Sequence, residues 1–402
     1  MAFSDTMAAP IEEEAIATAV AEAYAAGEPL LVQGNGTKTA MLRPVQAARN
    51  LSTRNHRGIT LYSPNELVIR ARAGTPLAEI EATVAERGQH LIAEPPDFSA
   101  LFGATAPQTL GGVVAANLSG PRRITWGAMR DHVLGVRAVN GTGEIIRSGG
   151  RVLKNVTGLD LCKLLAGSHG TLAVITEVTL KVLPAPEAVG TVAVHASDAD
   201  GGIAALATAL GSPYGVSAAA WLPSEAASRL GFAHPVALAR IEDFRPSVAY
   251  RTEKLRDQMM TFGACDILDD PASREVWRAV RDAAPLGATA EQAIWRISVR
   301  PSAGAAVVRA LREAFDPSVF LDWGGGLVWI AGPAEATAHA AVEAAARASA
   351  GTWTLLRAPE PLRAVVAVIP PEPAALAAIS RRVKTAFDPR GILNPGRMYA
   401  GL

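Results

Sequence analysis

The chain has 402 residues, 49% hydrophobic and 19% charged, which excludes a disordered chain and supplies apolar mass for two or three globular units. Lys plus Arg and Asp plus Glu both number 38, so the zero formal charge argues against a nucleic-acid partner or an anionic membrane surface. Two cysteines, Cys162 and Cys265, are too few for an iron–sulfur cluster or a structural zinc site, and they read as reduced thiols. No stretch approaches the ~20 apolar residues of a membrane span. The start of the chain runs into Glu12-Glu13-Glu14 without a basic and then an apolar region. The expectation is therefore a cytoplasmic chain with no direct membrane span and no signal peptide.

In chain order, Pro10 and the three glutamates open a first helix with Ile11, Ala15, Ala19, Val20 and Ala23 as its apolar stripe and Gly27 as its stop. A short strand, 29–33, runs into Gly34-Asn35-Gly36-Thr37. The stretch Glu66 to Ala73 reads as a strand. Thr75-Pro76 opens a second helix with Leu77, Ile80 and Val84 on one face and Gly88 at its end. Residues 133–148 read as a hairpin turning at Asn140-Gly141. Leu172 to Leu180 alternates as a strand, and Pro184 and Pro186 mark a boundary. Beyond it, strands at 191–196, 216–222, 236–242, 293–299, 327–331 and 364–369 alternate with Ala-rich helices at 201–210, 247–262, 302–315 and 334–349. That texture predicts an antiparallel sheet with helices on one face. A last helix, 373–386, leads to the rigid tail Phe387 to Gly396.

Chemistry enters at the first glycine loop. Gly34 and Gly36 flank Asn35 and precede Thr37, a pattern that lets successive backbone N–H groups point inward as an anion nest with the Thr hydroxyl beside them. A pyrophosphate fits that chemistry. The loop is not a Walker motif, because Lys38 follows Thr37, and it lacks the third glycine of a Rossmann fingerprint. A second cluster runs from Thr109 through Gly111, Gly112, Asn117 and Ser119 to Gly120, a backbone that a large flat ligand can approach. A third, Ala166 to Thr171 with Gly170, precedes the strand from Leu172.

Together these clusters, with Gly127 to Gly135, Gly158-Leu159-Asp160 and Gly167 to Leu183, resemble the FAD-binding domain of the vanillyl-alcohol-oxidase, or PCMH-type, superfamily. Within it the chain is most similar to the FAD-binding subunits of bacterial glycolate oxidases. Ala71 to Leu77, Lys154 to Gly158 and Phe387 to Gly396 sharpen the match. The likeness is dense over about 28–185 and returns at 387–397. It implies an α+β fold: a two-subdomain FAD-binding domain (1–186), an α+β cap with an antiparallel sheet (187–375), and a segment, 376–402, returning to the FAD domain. It implies that Gly34, Asn35, Gly36 and Thr37, with Lys38, hold the FAD pyrophosphate. Thr109, Gly111, Gly112 and Gly120 would line the flavin and ribityl chain with Asn117 and Ser119 nearby, and Ile175, after Gly170, would lie by the adenine.

Some members of this superfamily bind FAD covalently through a His in or near the first glycine loop. This loop has Lys38 and no His, so the FAD is expected to be non-covalent. Cys162 is either a second attachment point or a core thiol in Leu161 to Leu165. No catalytic residue and no metal site can be assigned: the seven His residues are dispersed, and His132 and His169, the two inside FAD-domain motifs, stand between a flavin-side and a structural role. Arg122 and Arg123 read either as a counter-charge for a phosphate or substrate carboxylate, or as a solvated pair.

The expected role is the FAD-binding subunit of a complex that oxidises glycolate, a small 2-hydroxy acid, to glyoxylate. Its partners would be a catalytic flavin subunit and an iron–sulfur subunit, and the complex would be cytoplasmic or peripheral to the inner membrane. The alternatives are a self-sufficient 2-hydroxy-acid dehydrogenase and a structural subunit with vestigial flavin.

Overall fold

The computed structural model describes residues 7–150 and 159–402. Lys154 to Gly158, part of the sequence likeness, lie outside them. The first helix spans Glu13–Ala26 and ends at Gly27, whose φ of 68° lets the chain turn off the helix. Its buried face is Glu13, Ile16, Val20 and Ala23, not the stripe expected from Ile11 and Ala15, which are exposed. The reason is a charge pair: Arg137 and Thr176 on the neighbouring sheet bond the Glu13 carboxylate and rotate that face inward.

Three sheets organise the chain. A parallel three-stranded sheet has the order Met7–Ala8, Arg49–Ser52, Leu30–Gln33. A six-stranded antiparallel sheet runs Ile59–Ser63, Val68–Arg72, Ala173–Pro184, Val133–Asn140, Ile145–Gly149, with Gln89–Leu91 also paired to Ala173–Pro184. The hairpin between 140 and 145 is longer than a two-residue turn. Asn140 Oδ1 accepts from the amides of both Thr142 and Glu144, and this Asx arrangement holds residues 141–144 in the loop.

The chain leaves this sheet at Pro184 and joins an eight-stranded antiparallel sheet at Ala188. Its order is Cys265–Leu268, Ala188–His195, Val236–Asp243, Val216–Leu222, Ser318–Asp322, Leu327–Gly332, Ala293–Ser298, Thr352–Arg357. Helices Ala199–Leu210, Arg245–Met259, Gly304–Ala314 and Ala336–Ala348 pack on it. The sequence reading missed the strands at 265, 318 and 352 and placed one wrongly at 364–369, where the helix Glu360–Val365 ends and irregular chain follows. Thr352–Arg357 takes the sheet edge, so the β-branched run after it is left to turn back, with Arg363 donating to the carbonyls of Leu42 and Ala358.

Side chains alternate across this sheet. Trp221 and Trp295 turn to the Ala-rich helices: Trp221 packs on Gly202, and Trp295 donates to His339. Arg240, Glu242, Phe320, Asp322, Trp329 and Arg296 alternate the other way, and several of them meet the first domain. Helix Asp270–Arg281 lies on this second face, where Trp277 donates to Thr191 and underlies the Arg240 guanidinium.

The last helix, Ala374–Phe387, brings the chain home. Lys384 donates to the carbonyls of Thr171 and Leu393 and pairs with buried Asp388, which accepts from the amides of Ile392 and Leu393. The tail then lies along Leu30–Gln33: Leu30 donates to Ile392, and Asn394 donates back to Leu30.

Candidate functional site

Gly34-Asn35-Gly36-Thr37-Lys38 lies where the parallel strand Leu30–Gln33 ends, and its shape is dictated by close packing. A Cβ at Gly34 would sit 2.2 Å from Thr109 Oγ1, so the loop touches the second glycine cluster only because Gly34 has no side chain. Gly36 has a φ of 73°, the left-handed region that glycine favours. Asn35 ties the loop down by donating to Pro107 O at 2.8 Å, and Lys38 Nζ donates to Gln108 Oε1 at 3.0 Å.

In this conformation the amides of Asn35, Gly36, Thr37 and Lys38 find no acceptor among the described residues. Four successive open donors at one loop can serve as an anion nest, since backbone amides of a folded chain are otherwise nearly all paired. They open onto a cleft lined by this loop, the second glycine cluster and the C-terminal tail. Thr109, Gly111, Gly112, Gly170 and Ile175 line the same cleft, so ten of the thirteen residues singled out in the sequence meet there. Thr109 caps the short helix Leu110–Ala115 by accepting from the Gly112 amide.

Asn117, Ser119 and Gly120 do not line the cleft. Asn117 Oδ1 accepts from the Arg130 amide and Ser119 Oγ from the Met129 amide, so both shape the turn that follows the helix. Gly120 is pressed against Glu94 O, 2.2 Å from where its Cβ would stand, and its own carbonyl accepts from Trp323 Nε1 at 3.3 Å. It thus belongs to the seam between the first domain and the eight-stranded sheet.

Among the cleft residues not assigned to the cofactor in the sequence are His169, Asn394 and Arg397. Asn394 accepts from the Val32 amide and donates to the carbonyls of Val32 and His169, stitching three segments around the opening. Arg397 donates to the carbonyls of Thr39 and Lys38, while its Nε has no partner among the described residues. The motif Phe387 to Gly396 signalled that the tail matters, but its place over the nest comes only from the fold. The cleft is cationic. Burial pulls Lys38 down to about 8 against the attraction of Asp97, and lowers Arg397 to about 10 with help from Arg363. His169 is held neutral, pushed down to about 3 by burial and Arg397. His132 lies elsewhere, its Nε2 buried without a partner among the described residues. Cys162 is a core thiol whose Sγ faces Ser148 O; burial raises its pKa, so it is a poor nucleophile.

The seam is built from side chains. Glu94 of the first domain accepts both Arg240 nitrogens at 2.8 and 2.9 Å, and Arg122 donates to both Glu242 oxygens at 3.0 and 2.6 Å. The Arg122 amide reaches Glu94 and the Arg240 Nε lies 3.3 Å from Glu242, closing a ring of four alternating charges. Burial opposes both carboxylates' ionisation, and the two arginines overcome it, holding them below the usual carboxylate range. Arg122 is therefore spent on structure and is not a solvated cation.

Known proteins are similar to this chain. Residues 5–149 match the family described as the FAD binding domain, and residues 372–398 match the C-terminal domain of FAD linked oxidases. Glycolate oxidase subunit GlcE of Escherichia coli K12 is 34% identical over 390 residues, 97% of this chain and 98% of that one. Glycolate oxidase subunit GlcD of Bacillus subtilis 168 is 31% identical over 160 residues, 40% of this chain and 33% of its own length. In fold, the chain is similar to p-cresol methylhydroxylase, with a TM-score of 0.70 at 12% identity, covering 98% of this chain and 88% of that structure.

Proposed function

The chain belongs to the family of FAD-binding glycolate oxidase subunits of the PCMH type, and from that premise we propose that its cleft residues hold FAD non-covalently for the oxidation of a small 2-hydroxy acid, glycolate to glyoxylate. The observation that carries the cofactor's placement is the run of four open amides at Asn35 to Lys38. They suit a pyrophosphate, and Lys38 and Arg397 supply its counter-charge. Ile175 and Val32 offer an apolar wall for the adenine, while Thr109, Gly111 and Gly112 let the flavin and ribityl chain approach the backbone. Bound FAD supplies a two-electron acceptor. The chain's own part is to orient it, exclude water and hold it without a bond, since the nest loop has no His and Cys162 is buried away from the cleft.

The same reading makes the chain one subunit of a complex, passing electrons through a catalytic flavin subunit and an iron–sulfur subunit. What supports partners is the relatives' description as subunits, together with a cysteine content too small for a cluster in this chain. Among the described residues no helix is long and apolar enough to cross a membrane.

The test is to purify the chain and record its visible spectrum before and after anaerobic glycolate, then precipitate it with acid. Flavin absorbance, released to the supernatant, is the expected result. Bleaching by glycolate would make the chain a catalyst by itself. A colourless protein that refuses added FAD would overturn the proposal.

A further inference from the structure

At the seam, arginines divide into two classes. Arg122, Arg240 and Arg281 each have a carboxylate within 3 Å: Glu242, Glu94 and Asp282. Arg123 and Arg296 have none. Neither guanidinium reaches a carboxylate or any other acceptor among the described residues, although both are partly buried. What they share is an indole. Arg123 Cζ lies 4.6 Å from the Trp323 ring centroid and Arg296 Cζ lies 5.5 Å from it, with Arg296 also 4.9 Å from Trp329.

Two like charges gathered at one ring, away from full hydration, repel each other. Burial and then Arg123 pull Arg296 down to about 10, and the one acid that acts on it nearby, Asp322, is itself pushed up to about 7 by burial. Cation–π contact offsets part of that cost but satisfies no N–H. A partly buried guanidinium whose donors meet no protein acceptor is free to take an oxyanion.

The position fits. Trp323 Nε1 donates to Gly120 O, the end of the glycine cluster whose start, Thr109 to Gly112, lines the cleft. Trp329 stacks on Phe320 and meets Phe98 edge-on, so the two guanidiniums lie against a cluster of aromatic rings. A planar guanidinium beside an indole suits a planar carboxylate, which it takes bidentately with the ring covering the carbon skeleton.

We propose that Arg123 and Arg296, on the face of Trp323, bind the carboxylate of a small 2-hydroxy or 2-oxo acid at the seam. This rests on the reading of the chain as a 2-hydroxy-acid flavoprotein, but its test does not depend on flavin. Oxalate, a planar carboxylate that the reaction cannot consume, is titrated into the full chain by calorimetry, with inorganic phosphate as the competing oxyanion. Oxalate is expected to bind, and Arg296→Met and Arg123→Met each to weaken it about ten- to a hundredfold, the loss of one charged hydrogen-bonding partner. Arg296→Lys, which keeps the charge without the fork, should recover part of the affinity. Thermal melts identify any variant that fails to fold, and Arg123→Gln then replaces it.

Unchanged oxalate affinity in the folded variants, no oxalate binding by the parent chain, or equal displacement by phosphate would overturn the site. Flavin content, read on the same samples, reports separately on the cofactor assignment: loss of flavin with oxalate binding intact would sink that assignment and leave the arginines standing.

Discussion

The nest and the seam solve the problem of holding charge in opposite ways. At the nest the donors are backbone amides from consecutive residues, fixed by glycines and by Asn35 and Lys38 anchoring their own loop. At the seam the charges are side chains from strands far apart, such as Glu94 and Arg240, separated by 146 positions. A backbone device costs no side-chain ordering and works on a ligand that arrives later. A side-chain device must be satisfied within the fold itself, because an uncompensated buried ion is far more expensive than an open amide. Binding sites and domain joints therefore fail differently when a residue is removed.

The largest expected effect breaks the seam. Glu94→Ala removes the bidentate partner of buried Arg240, leaving its Nε contacts to Glu242 and Ser217, and should cost about 3–5 kcal/mol, seen as a lower denaturant midpoint, with flavin retained by whatever remains folded. A variant as stable as the parent would mean that the ring of charges is solvated.

The next sharpens the contrast through pH. Burial raises the Asp322 carboxyl from 3.8 to about 7. Folding thus favours its neutral form, and that stability is fully present below pH 3.8 and lost as pH rises through about 7. Asp322→Asn keeps an oxygen for the Trp323 amide. It should gain about 2–4 kcal/mol over the parent at pH 8 and lose that advantage toward pH 4, which melts across the range would register.

The nest should respond less in stability and more in ligand. Gly36→Val forces a β-branched residue to a φ of 73°, costing about 1–3 kcal/mol, and intrudes where the pyrophosphate approaches. Full flavin content in that variant would remove the nest from the cofactor site. Smallest is Cys162→Ala, a modest core deletion worth about 1 kcal/mol that should leave the flavin-to-protein absorbance ratio unchanged.

These differences also explain what the sequence disclosed. The glycines of the nest were legible because close approach to Thr109 and a positive φ admit little else, and both demands leave a local pattern. Arg240 and Glu242 were not: in Ala237 to Glu242 an alternation of small apolar and charged residues reads as a strand with a wet face, and only the docking of the first domain makes that face dry. Arg122 and Arg123 are adjacent in sequence and identical in type, yet one is committed to Glu242 while the other faces Trp323. The misplaced strand at 364–369 failed for a related reason, since composition favours β there but Thr352–Arg357 already holds the sheet edge.

The tail that crosses back to the nest has a consequence for how the protein is made. The nest, Gly111, Gly112, Gly170 and Ile175 are all synthesised within the first 184 residues, but Asn394 and Arg397 emerge from the ribosome some two hundred residues later. A nascent chain holding every glycine of the site still lacks the amide that stitches Val32 to His169 and the cation over the loop. On the proposed placement of FAD, its site is complete only once the tail has been synthesised and has folded back onto the first domain.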